Sequence, residues 1–161
     1  LYVRIPSWSK DTSLRVNNER QDYPTADVVD SEQTASGYDP RASRFWKIER
    51  IWVPGDVVEI DFDKEIHLRR AHPKVKGHKG KVAVTAGPLV YCLESEDNLE
   101  VDIFNGQIDP TSLVKHFDPD LLGGTSVITA KSQDSIPLIF VPYHLWGNRG
   151  PSRMTVWVGT S

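Results

Sequence analysis

The sequence predicts an all-β protein: two small antiparallel, jelly-roll-like β-sandwiches, the first incomplete at its N-terminus. Three observations carry that expectation. Apolar residues alternate with polar ones in runs of four to six; Gly, Pro, Asn and Asp punctuate those runs; and no stretch sustains a 3.6-residue period. Short strands with turns between them are the pattern of packed antiparallel sheets.

In chain order, Leu1, Val3 and Ile5 share one face of a strand that Pro6 ends. Ser13–Val16 alternates again, and Asn17-Asn18 supplies turn chemistry because asparagine tolerates positive φ. From Glu19 to Arg44 the apolar pattern fades into a long polar insertion, where mobility is expected. Phe45–Trp52 and Val57–Phe62 flank the turn Val53-Pro54-Gly55-Asp56 and read as a hairpin, with Val58, Ile60 and Phe62 inward. Glu65–Arg70 is a further short strand. The polar, basic run Ala71–Lys79, broken by Pro73 and Gly77, is the expected boundary between a domain at 1–70 and a second at 71–161.

The densest strand signal is Gly80–Asn98. Val82–Ala86 and Leu89–Leu93 are apolar on both parities, as in a sheet covered on both faces. Gly87-Pro88 between them is expected to bend or break pairing. Val101–Phe104, Leu113–Phe117, Ser126–Ala130, Ile136–Val141 and Met154–Val158 complete the strands, with Pro137 and Pro142 placing the fourth at an edge or at its own ends.

Composition narrows function. The 161 residues suffice for one large domain or two small sandwiches, and a net charge of −3 argues against a nucleic-acid partner. No apolar run approaches the ~20 residues of a membrane helix. A single cysteine, Cys92, excludes an internal disulfide and any multi-cysteine metal site. The chain opens in a strand pattern without methionine, as a segment of a longer polypeptide would.

Four groups could carry chemistry. His72 and His78 flank the basic loop, but their spacing matches no zinc motif and no third ligand is evident, so they read as solvated loop histidines. Glu94, Glu96 and Asp97 are carboxylates that could do glycosidic acid–base work if held across a sugar; otherwise they form an acidic turn, with Asp97 or Asn98 capping backbone N–H groups. Cys92, in an apolar strand with no cationic neighbour, reads as inert. Of the five tryptophans, Trp46, Trp52 and Trp157 fit core positions and Trp8 a sandwich end. Trp146 differs. With Tyr143, His144, Asn148 and Arg149 it sits in a donor-rich loop suited to docking a neighbouring domain or to a sugar. No residue is assigned to catalysis, to a metal or to a cofactor.

The ordered motifs LYVRIPSW, VNN, WKIERIWVPGDVVEIDF, GKVAVTAGPLVYCLESEDN and FVPYHLWGNRGPSRMTVWV resemble the C-terminal half of family-127 glycoside hydrolases, the β-L-arabinofuranosidase-like proteins. The likeness runs from Leu1 to Val158 apart from the insertion at Glu19–Gly37. It implies that catalysis belongs to an α-helical toroid, with a cysteine nucleophile, a glutamate acid/base and a zinc ion, and that two β-sandwiches follow it. None of those catalytic or zinc positions falls in this sequence, and Cys92 is not the nucleophile. The resemblance implies a non-catalytic accessory region whose partner is that toroid, with a homodimer and carbohydrate as further candidate partners. A module that recognises plant glycans is the alternative.

Overall fold

The computed structural model of the chain describes residues 1–22 and 44–160, so most of the expected insertion lies outside the described residues. Those residues are nearly all strand and turn, with no helix longer than a three-residue 3-10 turn, and they form two compact units, Leu1–Glu65 and Ile66–Ser161.

In the first unit, β1 (Tyr2–Ile5) pairs antiparallel with β4 (Arg44–Lys47), and β2 (Ser13–Val16) pairs with both β3 (Glu19–Arg20) and β5 (Val58–Asp61). Alternation does what it should. Ile5, Leu14, Val16, Trp46 and Ile48 form the buried core, joined by half-buried Val3, Val58 and Phe62. Asn17 and Asn18 take φ of 51° and 68°, the left-handed pair a two-residue hairpin loop needs, so Glu19 and Arg20 turn back as a strand instead of beginning the loop.

The expected hairpin of Phe45–Trp52 with Val57–Phe62 does not form. β4 pairs with β1 and β5 with β2, because strand pairing ends at Lys47 and Ile48 bonds back to Leu1 through both backbone groups, at 2.8 and 3.0 Å. The turn itself stands: the Asp56 N–H donates to the Val53 carbonyl and Gly55 has φ of 97°. Asn17 fastens it, donating to the Asp56 carboxylate at 2.7 Å and accepting the Val57 N–H at 2.9 Å. Consequently Ile51 is 89% exposed, Trp52 lies under the Arg50 guanidinium at the surface instead of in the core, and Ile60 faces solvent.

In the second unit, β6 (Ile66–Arg70), β7 (Lys81–Ala86), β14 (Trp157–Thr160) and β9 (Gln107–Ile108) pair in that order. β10 (Val114–Asp118), β11 (Thr125–Lys131), β12 (Pro137–Pro142), β8 (Leu89–Glu94) and β13 (Met154–Thr155) form a second series. All pairs are antiparallel except β14 with β9. β6 pairs along its length with β7, and the compact unit begins at Ile66.

β8 joins the two series: Leu89 and Val90 pair with β7, while Tyr91–Leu93 pair with β12. The last strand does the same, breaking at Val156 between β13 on β8 and β14 on β7. Between the layers lie Val82, Val84, Ala86, Tyr91, Leu93, Ile128, Leu138, Phe140 and Val158. A smaller cluster, Cys92, Val127 and Val141 with Ile139, Met154 and Val156, occupies the opposite parity, so β8 is covered on both faces as expected.

Two local expectations fail. Gly87-Pro88 does not break pairing. Ala86 and Leu89 pair directly, and Gly87, at φ 56°, takes the first central position of a two-residue hairpin turn, where proline needs no N–H. Val101–Phe104 is a turn, not a strand, because the Asp102 carboxylate accepts the Phe104 N–H at 3.0 Å and the Asn105 side-chain amide at 2.7 Å.

That turn admits no side chain at its end. A Cβ on Gly106 would stand 2.9 Å from both the Asp102 carbonyl oxygen and Val101 Cγ1, whereas one on Gly77 would meet nothing within 4 Å. Gly106→Ala should therefore cost about 1–3 kcal/mol, through the forced backbone shift. Gly77→Ala should be neutral or slightly stabilising. Thermal melting of the two variants side by side checks the contrast.

Candidate functional site

The acidic run after β8 and the loop after β12 meet. Tyr143–Leu145 is a 3-10 turn that begins where Pro142 ends β12, and Gly147, at φ 73°, turns the chain back. The return brings Arg149 onto Glu94 and Asp97. Its two terminal nitrogens grip Asp97 at 2.6 and 2.5 Å, and one also reaches Glu94 Oε2 at 2.5 Å. The other Glu94 oxygen accepts the Gly147 N–H at 2.8 Å.

Burial sets what this cluster can do. The Glu94 side chain is 1% exposed, Asp97 13% and Arg149 19%. Glu94 shares the parity of Cys92 on β8 and so lies on the same covered face. An isolated carboxylate there would cost several kcal/mol; paired and hydrogen-bonded it is tolerated. The bonds to Asp97 above all, then those to Glu94, raise the Arg149 pKa against the opposing effect of burial, so the guanidinium stays charged at any working pH. Its Nε is buried without an acceptor among the described residues.

Neighbours in the same run extend the anchorage. Ser95 exchanges backbone and hydroxyl bonds with Arg153 and meets the Ser152 hydroxyl at 3.2 Å. Asn98, 4% exposed, donates to the Glu94 and Ile139 carbonyls and accepts the Ile139 N–H at 2.9 Å. Asn98 thus acts as the backbone-capping group that the acidic run was expected to contain. Asp97 does not cap; it holds Arg149.

Of the five loop residues singled out from the sequence, Arg149 turns inward. The others stay at the surface: Tyr143 is 45% exposed, Trp146 40%, and His144 and Asn148 are open to solvent. Asn148 donates to the Leu145 carbonyl at 3.0 Å, which firms the turn. The partner of Arg149 was visible in sequence only as an acidic cluster; a separation of 52 residues to Asp97 hides the pairing from any local pattern.

The remaining candidates fall elsewhere. Cys92 is fully buried, its thiol directed at the Val141 carbonyl, and burial reinforced by the Glu94 and Asp97 charges pushes its pKa up to about 12. His72 Nδ1 accepts the Lys74 N–H, and the His78 ring stacks on Trp157 with centroids 4.6 Å apart. Trp157 is thus half-buried against a histidine ring, while Trp8 meets Phe62 edge-on at 5.6 Å. Among the described residues no three His, Cys, Asp or Glu side chains gather as a metal site would require. Among the described residues no helix is long and apolar enough to cross a membrane.

Comparison with known proteins agrees in direction. Residues 66–159 match the glycoside hydrolase family 127 C-terminal domain. A non-reducing end β-L-arabinofuranosidase of Bifidobacterium longum subsp. longum is 31% identical over 130 residues, 64% of this chain and 20% of that protein. The crystal structure of a family-127 β-L-arabinofuranosidase from Geobacillus stearothermophilus T6 superposes with a TM-score of 0.74 at 31% identity, over 100% of this chain and 26% of its own. A structure described as a glycoside hydrolase gives 0.72 at 27% identity, over 100% and 27%. The chain therefore spans between a fifth and about a quarter of the length of these relatives.

Two outcomes follow. Arg149→Ala leaves Glu94 buried and unpaired and should cost about 3–5 kcal/mol, with Arg149→Met combined with Glu94→Gln recovering part of it; chemical denaturation of the three proteins measures both. Native Cys92 should resist a thiol reagent at mildly alkaline pH, since both burial and the raised pKa keep the thiolate out of reach, and should react fully once denaturant is added.

Proposed function

This chain belongs to glycoside hydrolase family 127, and from that premise we propose that it is a non-catalytic β-sandwich support for a catalytic domain in a longer parent polypeptide. The parent would be an arabinofuranosidase-like hydrolase, as its relatives' names suggest. The observation that carries the reading is the state of Glu94 and Asp97. Glycosidic hydrolysis by a carboxylate pair needs the two acids facing each other across a sugar, about 5–10 Å apart, one of them able to give up a proton. Here both are held by one guanidinium, and Glu94 is sealed at 1% exposure. The one thiol is sealed as well.

What remains for recognition is surface. Tyr143 and Trp146 present large rings on a loop that Arg149 and Ser95 hold in place, a rigid aromatic platform of the type that anchors protein interfaces. A catalytic toroid is the proposed occupant. A carbohydrate-binding role for the same loop is less favoured, because the guanidinium that would have gripped sugar hydroxyls is already engaged.

The test pairs two measurements. The isolated chain should neither cleave an aryl β-L-arabinofuranoside nor take up heat-detectable arabino-oligosaccharide; turnover or binding would overturn the reading. In the full-length parent, Tyr143→Ala with Trp146→Ala should lower the melting temperature and activity together, by the ~2 kcal/mol or more typical of interface anchors. Unchanged melting and kinetics would remove the loop from the interface.

A further inference from the structure

We propose that the cationic groove between the end of β6 and the start of β7 binds a carboxylate-bearing oligosaccharide, a uronate-containing glycan chain. The sequence between Ile66 and Lys81 carries six Lys or Arg and three His with no Asp or Glu, in a chain whose net charge is −3. The fold concentrates these side chains. β6 and β7 pair from Ile66↔Ala86 to Arg70↔Val82, and the connection folds into a compact turn: the Val75 N–H donates to the His72 carbonyl at 2.8 Å, and a 3-10 turn follows at Lys76–His78.

The result is a cavity of about 540 Å³ whose lining includes Arg70, His72, Val75, Lys76, His78 and Lys79 and contains no carboxylate. Lys81 is tethered, its Nζ donating to the Phe104 carbonyl at 3.2 Å. Among the described residues no acid pairs with Arg70, Lys76 or Lys79. Such a cluster raises the local concentration of anions and is neutralised by binding one.

Size and apolar lining narrow the ligand. The volume is in the range of cavities that hold whole small molecules, far more than one oxyanion fills. Pro73 and Val75, the latter 46% exposed, offer apolar surface between the cations. The ring of His78 is braced from behind by its stack on Trp157, at 12° between planes. Apolar faces with spaced cations complement sugar rings bearing spaced carboxylates. The choice of a sugar over other carboxylates rests on the family reading above; the cationic groove itself does not.

Calorimetric titration of the chain with oligogalacturonate tests this. Binding is expected at low salt, weakened about tenfold or more at high salt because the exposed charges are screened. Loss of binding is expected in the triple variant Arg70→Gln, Lys76→Gln, Lys79→Gln, whose circular dichroism should be unchanged since all three residues are exposed. Backbone amide shifts in the wild-type chain should fall within Arg70–Lys81, which keeps the proposal testable if the triple variant misfolds. No binding, shifts elsewhere, equal affinity for a neutral arabino-oligosaccharide, or displacement by inorganic phosphate at equal concentration would each overturn it. The melting and activity tests of the support role do not involve these residues, so the two readings fail independently.

Discussion

The second unit turns on one buried ionic contact, Arg149 between Glu94 and Asp97. β8 is the strand both layers share, and its last residue is a glutamate on a covered face. A carboxylate there is acceptable only if a cation reaches it with good geometry, and the cation comes from a loop 55 residues further on. The bond therefore fixes a long-range relation. It sets how far the chain travels after β12 before it turns back to form β13, and with it which residues pair with Leu93 and Glu94. Arginine is required over lysine, since a planar fork can meet Asp97 with two nitrogens and still spare a bond for Glu94, which a single ammonium could not do in the same plane.

Closing the layers imposes a second demand. Both β8 and the β13–β14 segment leave one series and enter the other, so each must change pairing partner midway. At such a crossing the backbone risks unpaired groups. Asn98 and Ser95 meet that need beside β8, giving side-chain partners to Ile139 and Arg153 where the ladder cannot. The run Glu94–Asn98 is thus one anchoring surface with five separate partners, Ile139, Gly147, Arg149, Ser152 and Arg153. Its acidity, which in a sequence suggests chemistry, has a structural cause.

Much of this was legible in the sequence, and the failures share a cause. Alternation placed Ile5, Leu14, Val16 and the Val82–Leu93 core on the correct faces, because parity is a local property. The Asn17-Asn18 turn was equally readable. Partner choice was not: Phe45–Trp52 and Val57–Phe62 look like a hairpin because they flank a genuine turn, yet each bonds to an earlier strand. Trp52 was misplaced for the same reason, since its parity matters only if the strand continues that far. Val101–Phe104 has strand-like residues that one Asp102 carboxylate overrides. The candidate loop was found by its composition, but the inward turn of Arg149 depends on a contact that no window of neighbouring residues contains.

The distribution of charge follows from the same turn chemistry. Short strands need many turns, and several of these are closed by an aspartate that accepts backbone N–H groups: Asp56 from Val53, Asp102 from Phe104, Asp109 from Thr111, and Asp118 from Asp120 and Leu121. For Asp56, Asp102 and Asp109 hydrogen bonding lowers the pKa, so these acids keep their charge while tied to their own loops. Glu94 and Asp97 are tied to Arg149. An acid fixed in this way is committed to its own loop or to Arg149. The β6–β7 connection is closed instead by backbone bonds within His72–Lys79, which need no aspartate. A chain that is acidic in sum can still hold a concentrated cationic stretch: the net charge of −3 is a sum over all residues, whereas residues 66–81 contain no Asp or Glu.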